Sequence, residues 1–89
     1  MTRIEFTPQL AQHVQCKGSD VSATTLREAF DAVFDQNPRA RGYILDDQGS
    51  VRKHVAIFIN NQLLHDRDNL DVPLSDDCKI YIMQALSGG

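Results

Sequence analysis

The sequence predicts an α+β fold in which one main helix covers one face of a four- or five-stranded sheet. Three observations predict it. One amphipathic helix is written into "TTLREAFDAVFDQNP", stretches of alternating or β-branched residues flank it on both sides, and the chain has 89 residues. A chain of that size folds as one domain and buries roughly 60 to 68% of its unfolded surface. A single helix shields only one face of such a sheet, so the opposite face is expected to stand bare.

The elements follow in order. "TRIEFT" places Ile4 and Phe6 on one side and Arg3, Glu5 and Thr7 on the other, the period-2 pattern of a half-buried strand. Pro8 is expected to stop it. A second extended stretch is expected within Val14 to Val21, with Val14 and Cys16 on one face before Gly18, and Pro8 to Gly18 is expected to be a first hairpin. In the helix, Thr25 and Glu28 stand at capping-box spacing, where hydroxyl and carboxylate each satisfy a free backbone N–H. Leu26, Phe30, Val33 and Phe34 recur at i, i+4, i+7 and i+8, one apolar stripe for packing on a sheet, and Pro38 should end the helix.

"RARGYILDDQGS" predicts a short helical turn carrying Tyr43, Ile44 and Leu45, then a turn over Asp46 to Gly49. "HVAIFIN" reads as a central strand, uncharged and suited to burial on much of both faces. Asn60-Asn61 is a turn leading into a short edge strand over Gln62 to Leu64. "NLDVPLSDD" supplies apolar anchors at Leu70, Val72 and Leu74 and a turn at Ser75 to Asp77. "CKIYIMQAL" closes the fold as a strand.

Composition removes several classes of function. Hydrophobic residues at 42% and charged residues at 24% are globular values. No apolar run approaches the ~20 residues that span a bilayer, and "MTRIEFTPQL" does not look like a signal peptide, so the chain is expected to remain in the cytosol, away from membranes. A net charge of −3 with basic residues dispersed along the sequence gives no footprint for nucleic acid. Cys16 and Cys78 lack metal or redox spacing and read as two partly buried thiols; His13, His54 and His65 are equally scattered, so neither a metal nor a resident cofactor is expected. Asp46-Asp47 and Asp76-Asp77 are the acid pairs an enzyme would need, but adjacent carboxylates in polar turns are usually turn formers.

The last strand has two faces. Ile80 and Ile82 share one, Lys79, Tyr81 and Met83 the other, and because lysine prefers solvent, that second face is the uncovered one. If Ile57 and Ile59 point to the helix, Phe58 joins Tyr81 and Met83 in an aromatic and methionine patch of the kind found at interfaces. Beyond Leu86 stand only Ser87, Gly88 and Gly89. Two successive glycines contribute nothing to packing, and they arise by chance in about one chain in two hundred. A bare arm of three residues reaches at most about 10 Å and can carry a carboxylate into a narrow active site.

These residues resemble the ThiS and MoaD group of ubiquitin-like sulfur carriers. The capped helix "TLREAFDAVF", the strand and turn "HVAIFINN", "LDVPLSDD" and above all the ending "IYIMQALSGG" carry the resemblance, from Ile4 to Gly89. Asn60-Asn61 and Asp76-Asp77 stand where the family has Asn-Gly and Asp-Gly; both replacements tolerate left-handed backbone. The resemblance implies a β-grasp fold with a four- to five-stranded mixed sheet, residues 1–86 as the folded body and residues 87–89 as a flexible Gly-Gly tail.

It also implies a recyclable co-substrate rather than an enzyme. An E1-like, ThiF/MoeB-type adenylyltransferase using ATP and magnesium would adenylate the Gly89 carboxylate. A persulfide donor would convert the adenylate to a thiocarboxylate for a sulfur-accepting biosynthetic enzyme. Gly88 keeps the approach open, and Phe58, Tyr81, Met83 and Leu86 are the expected docking residues. The alternatives are a ubiquitin-like modifier joined to lysines through Gly89, and a plain β-grasp interaction module.

Overall fold

The computed structural model describes residues 1–14 and 18–84, and the side chains of residues 13 and 14 are outside that description. Its elements run β1 (Thr2–Phe6), α1 (Pro8–Val14), β2 (Gly18–Val21), α2 (Leu26–Gln36), α3 (Pro38–Ile44), β3 (Val55–Ile59), β4 (Gln62–Leu63) and β5 (Lys79–Gln84). The strands form one sheet in the order β2-β1-β5-β3-β4. β5 runs parallel to β1, and every other neighbouring pair is antiparallel, so the sheet is mixed. This is the β-grasp arrangement, with five strands.

Helix α2 begins as its sequence dictates. The Thr25 hydroxyl accepts from the Glu28 N–H at 3.2 Å. The reciprocal bond differs by one residue from the expected box: the Glu28 carboxylate takes the backbone N–H of Thr24 at 2.9 Å and the Thr24 hydroxyl at 3.0 Å. Leu26, Ala29, Phe30, Val33 and Phe34 are buried against the sheet, and the Phe30 and Phe34 rings stack with centroids 5.4 Å apart. The helix ends before Asn37 and Pro38.

Three expectations are corrected. The hairpin expected over Pro8 to Gly18 contains a helix, α1, because Pro8 starts a helix as readily as it stops a strand: its missing N–H falls where the first turn has no partner to offer. Thr7 caps that turn, its hydroxyl accepting from Leu10 N–H at 3.4 Å, and Leu10 is buried in the common core. The short turn expected near Tyr43 is a full seven-residue helix, α3, which buries Ala40 and Ile44. Among the described residues the covering layer keeps α2, eleven residues long, as its main helix, and α1 and α3, of seven each, join it.

The central strand, finally, is β5 rather than "HVAIFIN": β3 has only the two-residue β4 beyond it, and Ala56, Phe58 and Ile59 are half-buried instead of enclosed on both faces.

The turns fall where expected. Asn60 and Asn61 have φ of 50° and 70°, the left-handed pair that a two-residue hairpin with native twist requires, and they join β3 to β4. Asp46 accepts from the amides of Gln48 at 2.9 Å and Ser50 at 3.0 Å, closing its loop around Gly49 at φ 84°. Gly18 opens β2 at φ 149°, where a Cβ would stand 2.6 Å from the Ile4 carbonyl oxygen, so no larger residue fits without moving the β1–β2 ladder. Leu70 is buried, and Val72 and Leu74 pack on the core from the side. That segment is laced to the start of α2 by Leu26 N–H to Val72 O, Arg27 N–H to Leu70 O and Leu74 N–H to Thr24 O.

Candidate functional site

All three helices contribute to a single core on one face of the sheet, where Ile4, Phe6, Val55, Ile57, Ile80 and Ile82 point. The pleat sends the alternate residues to the opposite, uncovered face. Register places Tyr81 beside Phe58 on β3 and beside Glu5 on β1, with Met83 beside Ala56. Glu5, Phe58, Asn61, Lys79, Tyr81 and Met83 line one shallow concavity there. Tyr81 is 37% exposed, while Phe58 and Met83 are half-buried, so the three partly cover one another and still present a continuous apolar surface.

The charges on this face are paired across strands. Lys79 Nζ lies 3.8 Å from Glu5 Oε1 and Arg3 Nη1 3.4 Å from Asp20 Oδ2. Both pairs are solvent-exposed and add little stability; their effect is to leave an apolar centre inside a rim of little net charge.

The structure thus brings Phe58, Tyr81 and Met83 together. Leu86, Gly88 and Gly89, the other expected site residues, lie outside the described residues, as does Cys16. The path toward them is fixed only as far as Gln84, the last residue of β5, which pairs with Val55 at the start of β3.

The other candidate residues lie apart from this face. Cys78 is buried, and desolvation pushes its thiol pKa up, opposed by a hydrogen bond from the Ser75 backbone. His54 and His65 are exposed. Among the described residues no three of His, Cys, Asp and Glu gather as a metal site, and no helix is long and apolar enough to cross a membrane. The Asp46 carboxylate is committed to its own turn, and Asp77 lies 3.6 Å from the N-terminal amine on the surface.

Sequence reasoning missed two residues that shape the site. Asn60 not only turns the chain but accepts the Lys79 N–H at 3.0 Å through its side chain, tying the hairpin to the start of β5. Arg67 sends Nη1 to the carbonyls of Arg52 and, at 2.8 Å, Val55, clamping the turn that precedes β3. Neither bond has a local signal; each joins residues far apart in sequence.

No curated protein sequence matches the chain. Solved structures do. A chain of the Amycolatopsis orientalis BexX/CysO complex superposes with a TM-score of 0.83 at 16% identity, all of both chains being covered. Mycobacterium tuberculosis CysO gives 0.81 at 17% identity over 97% of this chain and 100% of that one. The small archaeal modifier protein 1 of Methanosarcina acetivorans gives 0.75 at 19% identity over 99% and 95%. At these identities the likeness establishes the ubiquitin-like β-grasp fold. The sequence model of the ThiS family matches residues 10–89, nearly the whole chain and through its Gly-Gly ending; the chain belongs to the ThiS family.

Proposed function

We propose that this protein is a sulfur carrier whose reacting group is the Gly89 carboxylate: a folded body, residues 1–86, that docks, and a tail, residues 87–89, that reacts. The observation that carries the reading is the family match, which runs through Gly88 and Gly89. It is supported by the uncovered sheet face, where Phe58 on β3 meets Tyr81 and Met83 on β5, the strand that precedes the tail in the sequence.

The protein is a co-substrate and not itself an enzyme. On a ThiF/MoeB-type adenylyltransferase a Gly89 carboxylate oxygen attacks the α-phosphorus of ATP and displaces pyrophosphate, giving an acyl-adenylate. The partner supplies the magnesium that steadies the phosphates. A carboxylate repels nucleophiles, whereas the mixed anhydride carries AMP as a good leaving group. A persulfide sulfur then attacks the acyl carbon and expels AMP; a thiol breaks the resulting S–S bond, leaving the thiocarboxylate and a disulfide. The thiocarboxylate sulfur displaces a leaving group on the substrate of a biosynthetic enzyme, and water then cleaves the resulting thioester, leaving the sulfur on that substrate and regenerating the carboxylate. Gly88, without a Cβ, leaves the acyl carbon open to each attack, and Leu86 is the fourth proposed docking residue.

The structural likeness to a small archaeal modifier protein supports a second reading, in which the adenylated Gly89 is transferred to lysine amines. One experiment separates the two. The chain and a form lacking Gly88 and Gly89 are incubated with ATP, magnesium, a ThiF/MoeB-type enzyme and a persulfide donor, then weighed intact. Exchange of one oxygen for sulfur, absent from the truncated form, is the expected result. Isopeptide-linked Gly89 on other proteins without sulfur exchange indicates the modifier, and an unaltered mass removes both.

A further inference from the structure

The apolar patch of Phe58, Tyr81 and Met83 is too small to hold a partner by itself. Phe58 and Met83 are half-buried and Tyr81 is 37% exposed. Since a whole aromatic side chain buries about 150–250 Å², the three offer less than about 300 Å², against the roughly 800 Å² that each partner gives to a specific interface. The five residues after Gln84 supply part of the difference. The remainder has to come from ground beside the patch.

The open face continues in two directions across the strands. Toward β1 and β2 it carries charge, Glu5 with Lys79 and then Arg3 with Asp20. Toward β4 it stays apolar. Leu63 stands directly opposite Phe58, so the two share a face, and the row Leu63, Phe58, Tyr81, Glu5 crosses β4, β3, β5 and β1. Leu63 is 41% exposed. Neighbouring strands lie about 4.8 Å apart, which sets Leu63 about 10 Å from Tyr81.

The sheet is also least finished at β4. Along the outer edge of β3, Arg67 Nη1 donates to Val55 O at 2.8 Å and Leu64 N–H to Ile57 O at 2.8 Å. Gln62 pairs with Ile59 in the hairpin, so Leu63, between Gln62 and Leu64, turns its own N–H and C=O outward. Natural sheets blunt such an edge with charges or proline; β4 carries neither, and its shortness alone limits it. On its other side Leu63 borders the cleft that separates β4 from Val72, Pro73 and Ser75, so a surface wrapping the edge reaches it from both sides.

We infer that Leu63 carries the docking surface across β3 to the β4 edge and anchors the protein that engages Gly89, which meets it with an apolar surface. The inference rests on the reading of Gly89 as the reacting end. It makes the contact lopsided: the partner leans toward β4, where leucine continues the patch, and away from β1 and β2, where covering Glu5, Lys79, Arg3 and Asp20 would desolvate charge.

Leu63→Thr tests it, removing the apolar bulk while keeping a residue that favours a strand. Leu63→Met restores that bulk, and Tyr43→Ser removes a side chain of similar exposure, 38%, from α3 in the helical layer. The KM of a ThiF/MoeB-type adenylyltransferase for each form is read by ATP–pyrophosphate exchange at low and high salt, with melting curves and sedimentation alongside. Leu63→Thr is expected to raise KM about five-fold, the effect falling on KM and not on kcat, as the loss of the exposed part of one leucine predicts. The ratio should hold in high salt, because no charge has been removed. Leu63→Met and Tyr43→Ser should stay within about two-fold of the unaltered chain. Unchanged KM in Leu63→Thr overturns the inference: joined to a lowered melting temperature it makes Leu63 a cover for Phe58 alone, and joined to the loss of a dimer formed by the unaltered chain it makes a second copy the occupant. An equal rise in Tyr43→Ser overturns it as well, since exposure rather than the face would then be the cause. So does a rise in Leu63→Met as large as that in Leu63→Thr. Absence of exchange with the unaltered chain is a different failure: it removes the reactive-end reading and the role of Leu63 with it.

Discussion

Strand β5 shows one alternating run meeting two environments. Ile80 and Ile82 are sealed under three helices with no exposure at all, while Tyr81, one position away, keeps more than a third of its surface in water. The comparison teaches a division of labour by parity. On the covered side, side-chain volume is stability; on the open side, the same strand carries large apolar groups that the fold does not use. An aromatic and a methionine facing solvent from the central strand are hard to explain by packing, and easy to explain by a partner.

The largest effect that breaks or sharpens this comparison is a pair of truncations. Ile82→Ala removes atoms from a position with no exposure and leaves a cavity, and is expected to cost about 2–5 kcal/mol in urea unfolding. Tyr81→Ala removes more atoms from the open face and is expected to cost less than about 1 kcal/mol. Comparable losses at both positions would mean that the open face is structural after all.

A second test stays on the covered side. Thr2 is 1% exposed at the start of β1, and its hydroxyl has no hydrogen-bond partner among the described residues. A buried hydroxyl left unpaired costs about 1–3 kcal/mol relative to an apolar group of the same shape. Thr2→Val keeps the branched shape and is expected to raise stability by about 1 kcal/mol. A loss on that substitution, measured in the same urea series, would show that the hydroxyl has found a partner, and that burial on this side is not purely apolar.

The two faces were equally legible in the sequence, because alternation assigns a side to every residue of a strand once one of them is placed, and Lys79 placed it. Helix α2 was legible for a similar reason: its cap, stripe and terminating proline agree. Helix α1 was not. Over seven residues "PQLAQHV" offers Leu10 as a buried anchor but no full helical period, and so short a helix owes its stability to α3, β1 and β5 rather than to itself. The central place of β5 was hidden too, since the parallel pairing with β1 joins the two ends of the chain and leaves no mark in either strand. At the site, Phe58, Tyr81 and Met83 followed from the pleat, whereas the bonds of Asn60 to Lys79 and of Arg67 to the Arg52 turn did not, because each joins residues far apart in sequence.

The smallest expected effect lies in the layer that makes the covered face covered. The Glu28 carboxylate accepts the Thr24 backbone N–H and then its hydroxyl, and these bonds, the backbone one foremost, hold its pKa below the usual carboxylate range. Because the folded value is the lower one, the unfolded chain binds the proton first as pH falls. The group's stabilisation is therefore complete above the ordinary glutamate pKa of about 4.3 and is lost as pH drops through the folded value. Glu28→Gln has no proton to gain and keeps an oxygen that can accept from Thr24. Its stability deficit should be greatest near neutral pH and shrink in acid, in unfolding curves taken from pH 7 to below about pH 4. A deficit that stays constant or widens in acid would place the anchoring of α2 elsewhere, in the Arg27 to Asp71 pair at 2.8 Å or in the three backbone bonds to the segment around Val72.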